Sequence, residues 1–189
     1  SEELDIVLTG KDCGLEERAP MCGVPYHSCE AYIARLVDKG HKVAICEQVE
    51  NPATAKGLVK RDIIRTITPG TVIEDIMLEE GRNNYLAAVV AGDSGAAVCF
   101  TDASTGECYV TSISLDNAED KLINELSRFR PQELLIDGKL LKQLRELSKF
   151  IEISFNGVVS ERAEQSFVAS NTEHRILSHF NVVSTENLG

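Results

Sequence analysis

Three short strand-like segments in close succession constrain the fold of this chain more than any other feature. They occupy residues 85–91, 96–101 and 107–112. The segments between them, 92–95 and 102–106, consist almost wholly of Gly, Asp, Ser, Thr and Ala. Gly, Asp and Ser accept the backbone conformations of tight turns, so each segment predicts a short reversal of the chain. The pattern therefore predicts an antiparallel meander of three strands.

Alternating helical and extended patterns follow the meander. The predicted elements are, in order, a helix capped by Asp116 with Leu122, Ile123, Leu126 and Phe129 on one face, a strand at 133–136, a helix at 138–147, a strand at 150–154, and two helical pieces at 160–180 that break near Ser170-Asn171. A meander followed by α–β crossovers gives a mixed sheet with helices packed on its faces. This order predicts a ribonuclease H-like α/β domain.

The first part of the chain has a mixed α/β pattern of its own. The predicted elements are a strand at 4–9, a helix from Ser28 to Gly40, a strand at 42–49, a short helix at 51–56 and a strand at 58–68. Pro69-Gly70 then breaks the pattern, and residues 71–82 are acidic. We therefore predict one domain at 1–70, a linker at 71–82 and a second domain at 83–189. The chain lacks an initiator Met, and we interpret it as part of a longer protein.

Charge and composition narrow the class of protein. The net charge of −11 argues against a surface that is basic throughout, although it allows a local basic patch. No run of 18 apolar residues and no signal sequence are present, so we expect a cytoplasmic protein without a membrane partner. Two of the six cysteines, Cys46 and Cys99, lie within apolar runs, and we expect such cysteines to be small buried side chains in a reducing compartment.

One segment, 56–65, is locally basic. It has four cations, Lys56, Lys60, Arg61 and Arg65, against one acid, for a local charge of +3. The alternation of side chains along a strand predicts that Arg61 and Arg65 share a face. Such a face can contact a phosphate backbone, or it can be a solvated edge strand protected by charge, and the sequence leaves both open.

The loop at 19–27 is stiffened by two prolines and a glycine, and it carries Met21, Tyr26 and His27. A stiff loop can present an aromatic ring and a thioether to a flat partner, or these side chains can pack beneath the loop. His27, Cys22 and Cys29 lie close together in the sequence, but they lack the paired spacing of a structural zinc site. His27 can also be simply a residue at the start of a helix.

Two acids, Asp102 and Asp137, follow predicted strands. Convergent carboxylates in this type of fold can hold Mg²⁺ for phosphoryl chemistry, but turns also favour Asp, Ser, Thr and Gly. The sequence contains no G-x-x-x-x-G-K-[ST] motif, so we expect no nucleotide site and no cofactor in this chain.

Several longer motifs over residues 8–72 occur together as a specific set. They are Pro20-Met-Cys-Gly-Val-Pro-Tyr-His27, Val43-Ala-Ile-Cys-Glu-Gln48, Asn51-Pro52 through Lys56-Gly57, Val59-Lys-Arg61 with Arg65, and Thr68-Pro-Gly-Thr71. This stretch closely resembles the bacterial MutS family of DNA mismatch repair proteins. The resemblance implies that the first domain is the later part of a mismatch-binding domain. It also implies that the second is the ribonuclease H-like connector.

The resemblance also implies roles for particular residues. Met21 would lie on a loop near the minor groove, and Lys60, Arg61 and Arg65 would contact the DNA backbone. With His27, they form the candidate DNA-binding set. The Phe-x-Glu motif that stacks on mispairs in this family would lie upstream of Ser1.

The resemblance places further functions outside this chain. Later domains of the parent protein would contain the ATPase, which binds ATP and Mg²⁺, and this chain itself is therefore expected not to be an enzyme. The homodimer contacts would also belong to those later domains. The connector would link the mismatch reader to the ATPase and recruit other mismatch-repair proteins. Two alternatives remain: a ribonuclease H-like metal-dependent nuclease or phosphotransferase that uses Asp102 and Asp137, and a protein-interaction module.

Overall fold

The computed structural model describes residues 1–14, 16–51, 57–92 and 95–188. The chain forms two compact units, Ser1–Asn84 and Tyr85–Gly189. Most of the short helix predicted at 51–56 lies outside the described residues, as does the middle of the turn at 92–95.

Unit 1, Ser1–Asn84, is a small mixed α/β structure. Its elements are a 3-10 turn at Glu2–Leu4, β1 (Thr9–Lys11), β2 (Ala19–Met21), a 3-10 turn at Tyr26–Ser28, α1 (Cys29–Asp38), β3 (Val43–Gln48), β4 (Arg61–Ile67) and 3-10 turns at Pro69–Thr71 and Asp75–Met77. Two antiparallel ribbons result, β1 with β2 and β3 with β4. The strand predicted at 4–9 is wrong, because Glu2–Leu4 is a turn and the strand begins only at Thr9.

The core of unit 1 is small. Val37 from α1, Ile67 from β4 and Val72 form a buried hydrophobic cluster. The partly buried side chains that pack around them are Ile33, Val43, Ile45, Met77 and Leu78. Three of these eight side chains, Val72, Met77 and Leu78, come from the segment predicted as a linker, so in the structure that segment helps to close the core.

Unit 2, Tyr85–Gly189, is built on one mixed sheet. Its elements are β5 (Tyr85–Gly92), β6 (Gly95–Asp102), β7 (Cys108–Ser114), α2 (Ala118–Phe129), β8 (Glu133–Asp137), α3 (Gly138–Gln143), α4 (Arg145–Ser154), β9 (Val158–Arg162), a 3-10 turn at Glu164–Phe167, α5 (Ala169–Phe180) and a 3-10 turn at Thr185–Leu188. The sheet order is β7-β6-β5-β8-β9, with an antiparallel meander followed by two parallel strands. This arrangement confirms the predicted ribonuclease H-like α/β fold.

The predicted boundaries after β8 are wrong in three places. Residues 150–154 are the end of α4, and the last strand is β9. The helix predicted at 138–147 is divided at Leu144, whose φ and ψ of −90° and 87° are not helical. The predicted break near Ser170-Asn171 does not occur, because α5 runs through these residues.

Helix α2 packs one face against the sheet. Leu122 and Leu126 are buried, as the helical spacing predicts, and Phe129 stacks on Phe100 of β6 with ring centroids 4.1 Å apart. The buried apolar residues of this core are Ala87, Val89, Ala96, Val98, Phe100, Ile113, Leu122, Leu126, Leu134, Ile136 and Leu147. Within the described part of the chain, no helix has both the length and the apolar character to cross a membrane.

This packing makes Leu126 a sensitive position. We predict that Leu126→Ala lowers the free energy of unfolding of unit 2 by about 2–5 kcal/mol, because it removes buried contacts and leaves a cavity. Ser127→Ala is the matched control, since Ser127 is exposed on the same helix, and its effect should stay within about 0.5 kcal/mol. Urea denaturation followed by circular dichroism measures both. Equal effects of the two substitutions would contradict the packing of α2.

Candidate nucleic-acid interface

The loop before α1 exposes the side chains that the sequence singled out. Met21 ends β2 opposite Thr9, whose hydroxyl donates a hydrogen bond of 2.8 Å to the Met21 carbonyl. Met21 is 44% exposed and Tyr26 is 86% exposed. His27 is also exposed, in the turn that leads into α1. These side chains therefore do not pack beneath the loop, and their surfaces are available to a partner.

The cysteines near this loop do not form a recognisable metal site. Cys22 and Cys29 are half-buried. Among the described residues, no group of three or more His, Cys, Asp or Glu side chains is placed to hold a metal ion. The expectation that cysteines in apolar runs are buried is also wrong, because Cys46 is exposed and Cys99 is half-buried.

A β-bulge in β4 separates the cations that were predicted to share a face. Arg61 pairs with Gln48 and Ile63 with Cys46, but Arg65 pairs with Ile45, so Ile64 is an extra residue in β4. An extra residue reverses the alternation of side chains beyond it. Arg61 consequently lies on the outer face of the ribbon with Ile63, whereas Arg65 lies on the inner face beside the core. The prediction of a common face is wrong.

Arg65 forms an ion pair with Glu74. Its guanidinium hydrogen-bonds the Glu74 carboxylate, and the two side chains are only 34% and 20% exposed. Burial acts to raise the pKa of the Glu74 carboxyl. The hydrogen bonds from Arg65 and from the Ile73 N–H, together with the Arg65 charge, outweigh burial and hold that pKa below its ordinary value. Arg65 therefore stabilises unit 1.

Lys60 and Arg61 lie at the other end of the ribbon, and both are exposed. The Lys60 N–H donates to the Glu50 carboxylate at 3.0 Å, and the Lys60 carbonyl accepts from Val49 at 3.1 Å. These bonds extend the pairing of the two strands beyond β3 and β4. The ribbon thus fixes the backbone at Lys60 and Arg61, while their side chains remain accessible.

The two acids of the metal-site alternative lie at opposite ends of the sheet. Asp102 pairs with Tyr85 at the start of β5, whereas Asp137 ends β8, whose Leu135 is level with Ala88. Asp137 is therefore level with a position five residues further along β5, which corresponds to about 17 Å at the rise of a strand. The structure does not bring these carboxylates together.

Asp102 stabilises a turn, and Asp137 stabilises the start of a helix. The Asp102 carboxylate accepts from the N–H and hydroxyl of Ser104 at 2.8 and 2.6 Å. The Asp137 carboxylate accepts from the N–H groups of Lys139 and Leu140 at 2.6 and 3.3 Å and caps α3. These contacts match the turn and cap roles that the residue types favour.

The sequence-based predictions missed one stabilising ion pair and one match to the Phe-x-Glu pattern. The Arg65–Glu74 pair was missed because it depends on the bulge and on the chain reversal at Pro69–Thr71. The only sequence signal for it was the acidic pair Glu74-Asp75 shortly after the basic strand. The pattern Phe-x-Glu does occur at Phe150-Ile151-Glu152, but this segment lies in α4 with Phe150 packed against the unit 2 core, so it offers no free aromatic ring.

Comparison with known protein families accounts for both units. The family model described as MutS domain I matches residues 1–76, and the model described as MutS domain II matches residues 84–189.

Curated relatives extend over most of the chain. The chain is 48% identical over 180 residues to the DNA mismatch repair protein MutS of Ruminiclostridium cellulolyticum, covering 95% of this chain and 20% of the relative. It is 46% identical over 189 residues to that of Alkaliphilus metalliredigens, covering 100% and 22%, and 52% identical over 149 residues to that of Clostridium tetani, covering 77% and 17%. The chain thus spans about a fifth of the length of these relatives.

The predicted resemblance is confirmed by these matches, which cover both the small α/β unit and the ribonuclease H-like unit. The chain belongs to the MutS family of DNA mismatch repair proteins, and its two units match that family's domain I and domain II models.

Proposed function

We propose that this chain takes part in the recognition of mispaired or unpaired bases in duplex DNA. In this proposal, unit 1 carries the DNA-contacting surface. The match of domains I and II to MutS proteins is the observation that supports the proposal most strongly. Within unit 1, Met21, His27, Lys60 and Arg61 are accessible to DNA, whereas Arg65 is paired with Glu74.

Phosphate contacts by Lys60 and Arg61 would position the protein without reading the sequence. Three acids, Glu47, Glu50 and Asp62, occupy the same end of the β3–β4 ribbon. Exposed charges interact over a Debye length of about 8–10 Å at physiological salt, so these acids weaken the local positive potential. We therefore propose that the 189-residue chain alone binds DNA weakly and does not distinguish mispaired from paired duplexes.

We further propose that unit 2 transmits the binding event within a longer protein to an ATPase. The chain contains no P-loop motif, so ATP and Mg²⁺ would bind in other domains. We also propose that unit 2 contacts other mismatch-repair proteins. The longer protein would form a homodimer through other domains and act in the cytoplasm.

Removing the accessible cations tests the DNA-binding part of this proposal. We predict that Lys60→Ala with Arg61→Ala weakens binding to matched and mismatched duplexes alike. It should also reduce the magnitude of the slope of log affinity against log salt by about two, because each substitution removes one cation from the phosphate backbone. Fluorescence anisotropy over a salt series, with a labelled homoduplex and a G·T heteroduplex, measures affinity and slope together.

A matched control removes the same charge from unit 2. Arg128→Ala with Lys149→Ala takes away two cations whose side chains are 73% and 64% exposed. If this control lowers the slope as much as the Lys60 and Arg61 double variant, the DNA contacts are not in unit 1. Tight and mismatch-selective binding by the unaltered chain would also contradict the proposal.

The Arg65–Glu74 pair gives a prediction about acid stability. Because the pKa of folded Glu74 lies below its unfolded value of 4.5, its contribution to stability is present above that pH and is lost as the pH falls through the folded pKa. We predict that Glu74→Gln removes this part of the acid sensitivity of unit 1. Hydrogen exchange of residues 61–67 at pH 7 and at about pH 3.5, corrected for intrinsic rates, measures the effect.

Glu79→Gln is the control for this experiment, since Glu79 forms an exposed pair with Arg82 in the same unit. It should leave the pH profile of β4 unchanged. A Glu74→Gln profile that coincides with that of the unaltered chain would show that Arg65 does not stabilise unit 1 through this carboxylate, and Arg65 would then return to the candidate DNA contacts.

A further inference from the structure

Two cysteines meet on the outer side of the sheet in unit 2. Cys99 lies in β6 opposite Val110, and Cys108 begins β7 opposite Thr101. Because Val98 and Phe100 face the buried core, Cys99 and Cys108 share the opposite face, where they are diagonal neighbours. Cys99 is half-buried and Cys108 is exposed.

The two thiols are in direct contact. Their Sγ atoms are 3.6 Å apart, which is within hydrogen-bonding distance for sulfur. Burial, together with the hydrogen bond to Cys108 and the charge of its thiolate, raises the pKa of the Cys99 thiol to about 12. Cys99 is therefore a poor first nucleophile at neutral pH, and the more exposed Cys108 is the sulfur that small reagents reach.

We propose that Cys99 and Cys108 are a dithiol modification site that reacts with low-molecular-weight disulfides to form a reversible disulfide between β6 and β7. The Cys108 thiolate attacks one sulfur of the reagent, forms a mixed disulfide and releases one small thiolate. Cys99 then loses its proton and attacks the Cys108 sulfur, which releases the second small thiol. The protein pair gives up two protons and two electrons, and the reagent takes them up and is reduced to two thiols.

The geometry makes this bond easy to reverse. Diagonal neighbours in an antiparallel pair have Cα atoms about 7–8 Å apart, which is at or beyond the usual limit for a relaxed disulfide. The two strands must approach each other for the sulfurs to bond, and strained disulfides are reduced more readily than relaxed ones. Since β7 is an edge strand, the bond would also hold this edge to the rest of the sheet.

The experiment exposes the 189-residue chain to oxidised glutathione at neutral pH, quenches with acid and alkylates the remaining thiols. Non-reducing proteolysis with mass spectrometry should find the Cys99 and Cys108 peptides joined, with the loss of two hydrogen atoms. Reduced glutathione should then restore both thiols. Hydrogen exchange of 108–114 should slow in the oxidised form.

Single substitutions separate the two steps. In Cys99→Ser the reaction should stop at the mixed disulfide on Cys108, because no second thiol is present to displace glutathione. In Cys108→Ser no disulfide should form at Cys99. Cys46→Ser removes a different exposed cysteine and should leave the Cys99–Cys108 product unchanged. The proposal is overturned if Cys13 and Cys46 react but no Cys99–Cys108 product appears. It is overturned also if Cys108 carries as much glutathione in the unaltered chain as in Cys99→Ser.

Discussion

The alternation of side chains along paired strands determines which face of a ribbon or sheet presents each candidate residue that lies on a strand. In unit 2 it directs Val98 and Phe100 into the core and Cys99 to the other face. In unit 1 the same alternation is reversed by one extra residue, Ile64. A single-residue shift moves a strand's whole set of side chains to the opposite face, so this bulge decides which cations face solvent and which face the core.

Sequence patterns predicted the features that depend on local periodicity. The spacing of Leu122 and Leu126 predicted a helix with a buried face, and the turn residues around the meander predicted its three strands. Residues 150–154 were assigned wrongly because a short apolar run is compatible with either a strand or a helix. Here Leu147 is buried, and the partly buried Phe150 and Ile151 lie on the same helical face against the core. The site depends on pairing across the chain. Neither the bulge that separates Arg61 from Arg65 nor the distance between Asp102 and Asp137 is encoded within a few neighbouring residues.

For contact with DNA, the positions of individual charges matter more than the net charge of the chain. A chain of net charge −11 repels a polyanion at long range, and salt screens most of that repulsion beyond a Debye length. Lys60 and Arg61 can still contact phosphates, but Glu47, Glu50 and Asp62 are close to them on the same ribbon. Arg65 adds little to this patch because its charge is already balanced by Glu74. In the proposed function, affinity for DNA must therefore come largely from other domains of the longer protein.

The segment that follows β4 is part of the structure of unit 1. A two-stranded ribbon is only marginally stable alone, so β3 and β4 depend on packing against other elements. Val72 is 2% exposed in that packing, and Glu74 in the same segment holds Arg65 on the inner face of β4. Displacement of residues 72–78 would uncover Ile67 and release Arg65 at the same time, because both contacts come from this one segment. The stability of the strand that carries Arg61 is thus coupled to the stretch of chain that leads into unit 2.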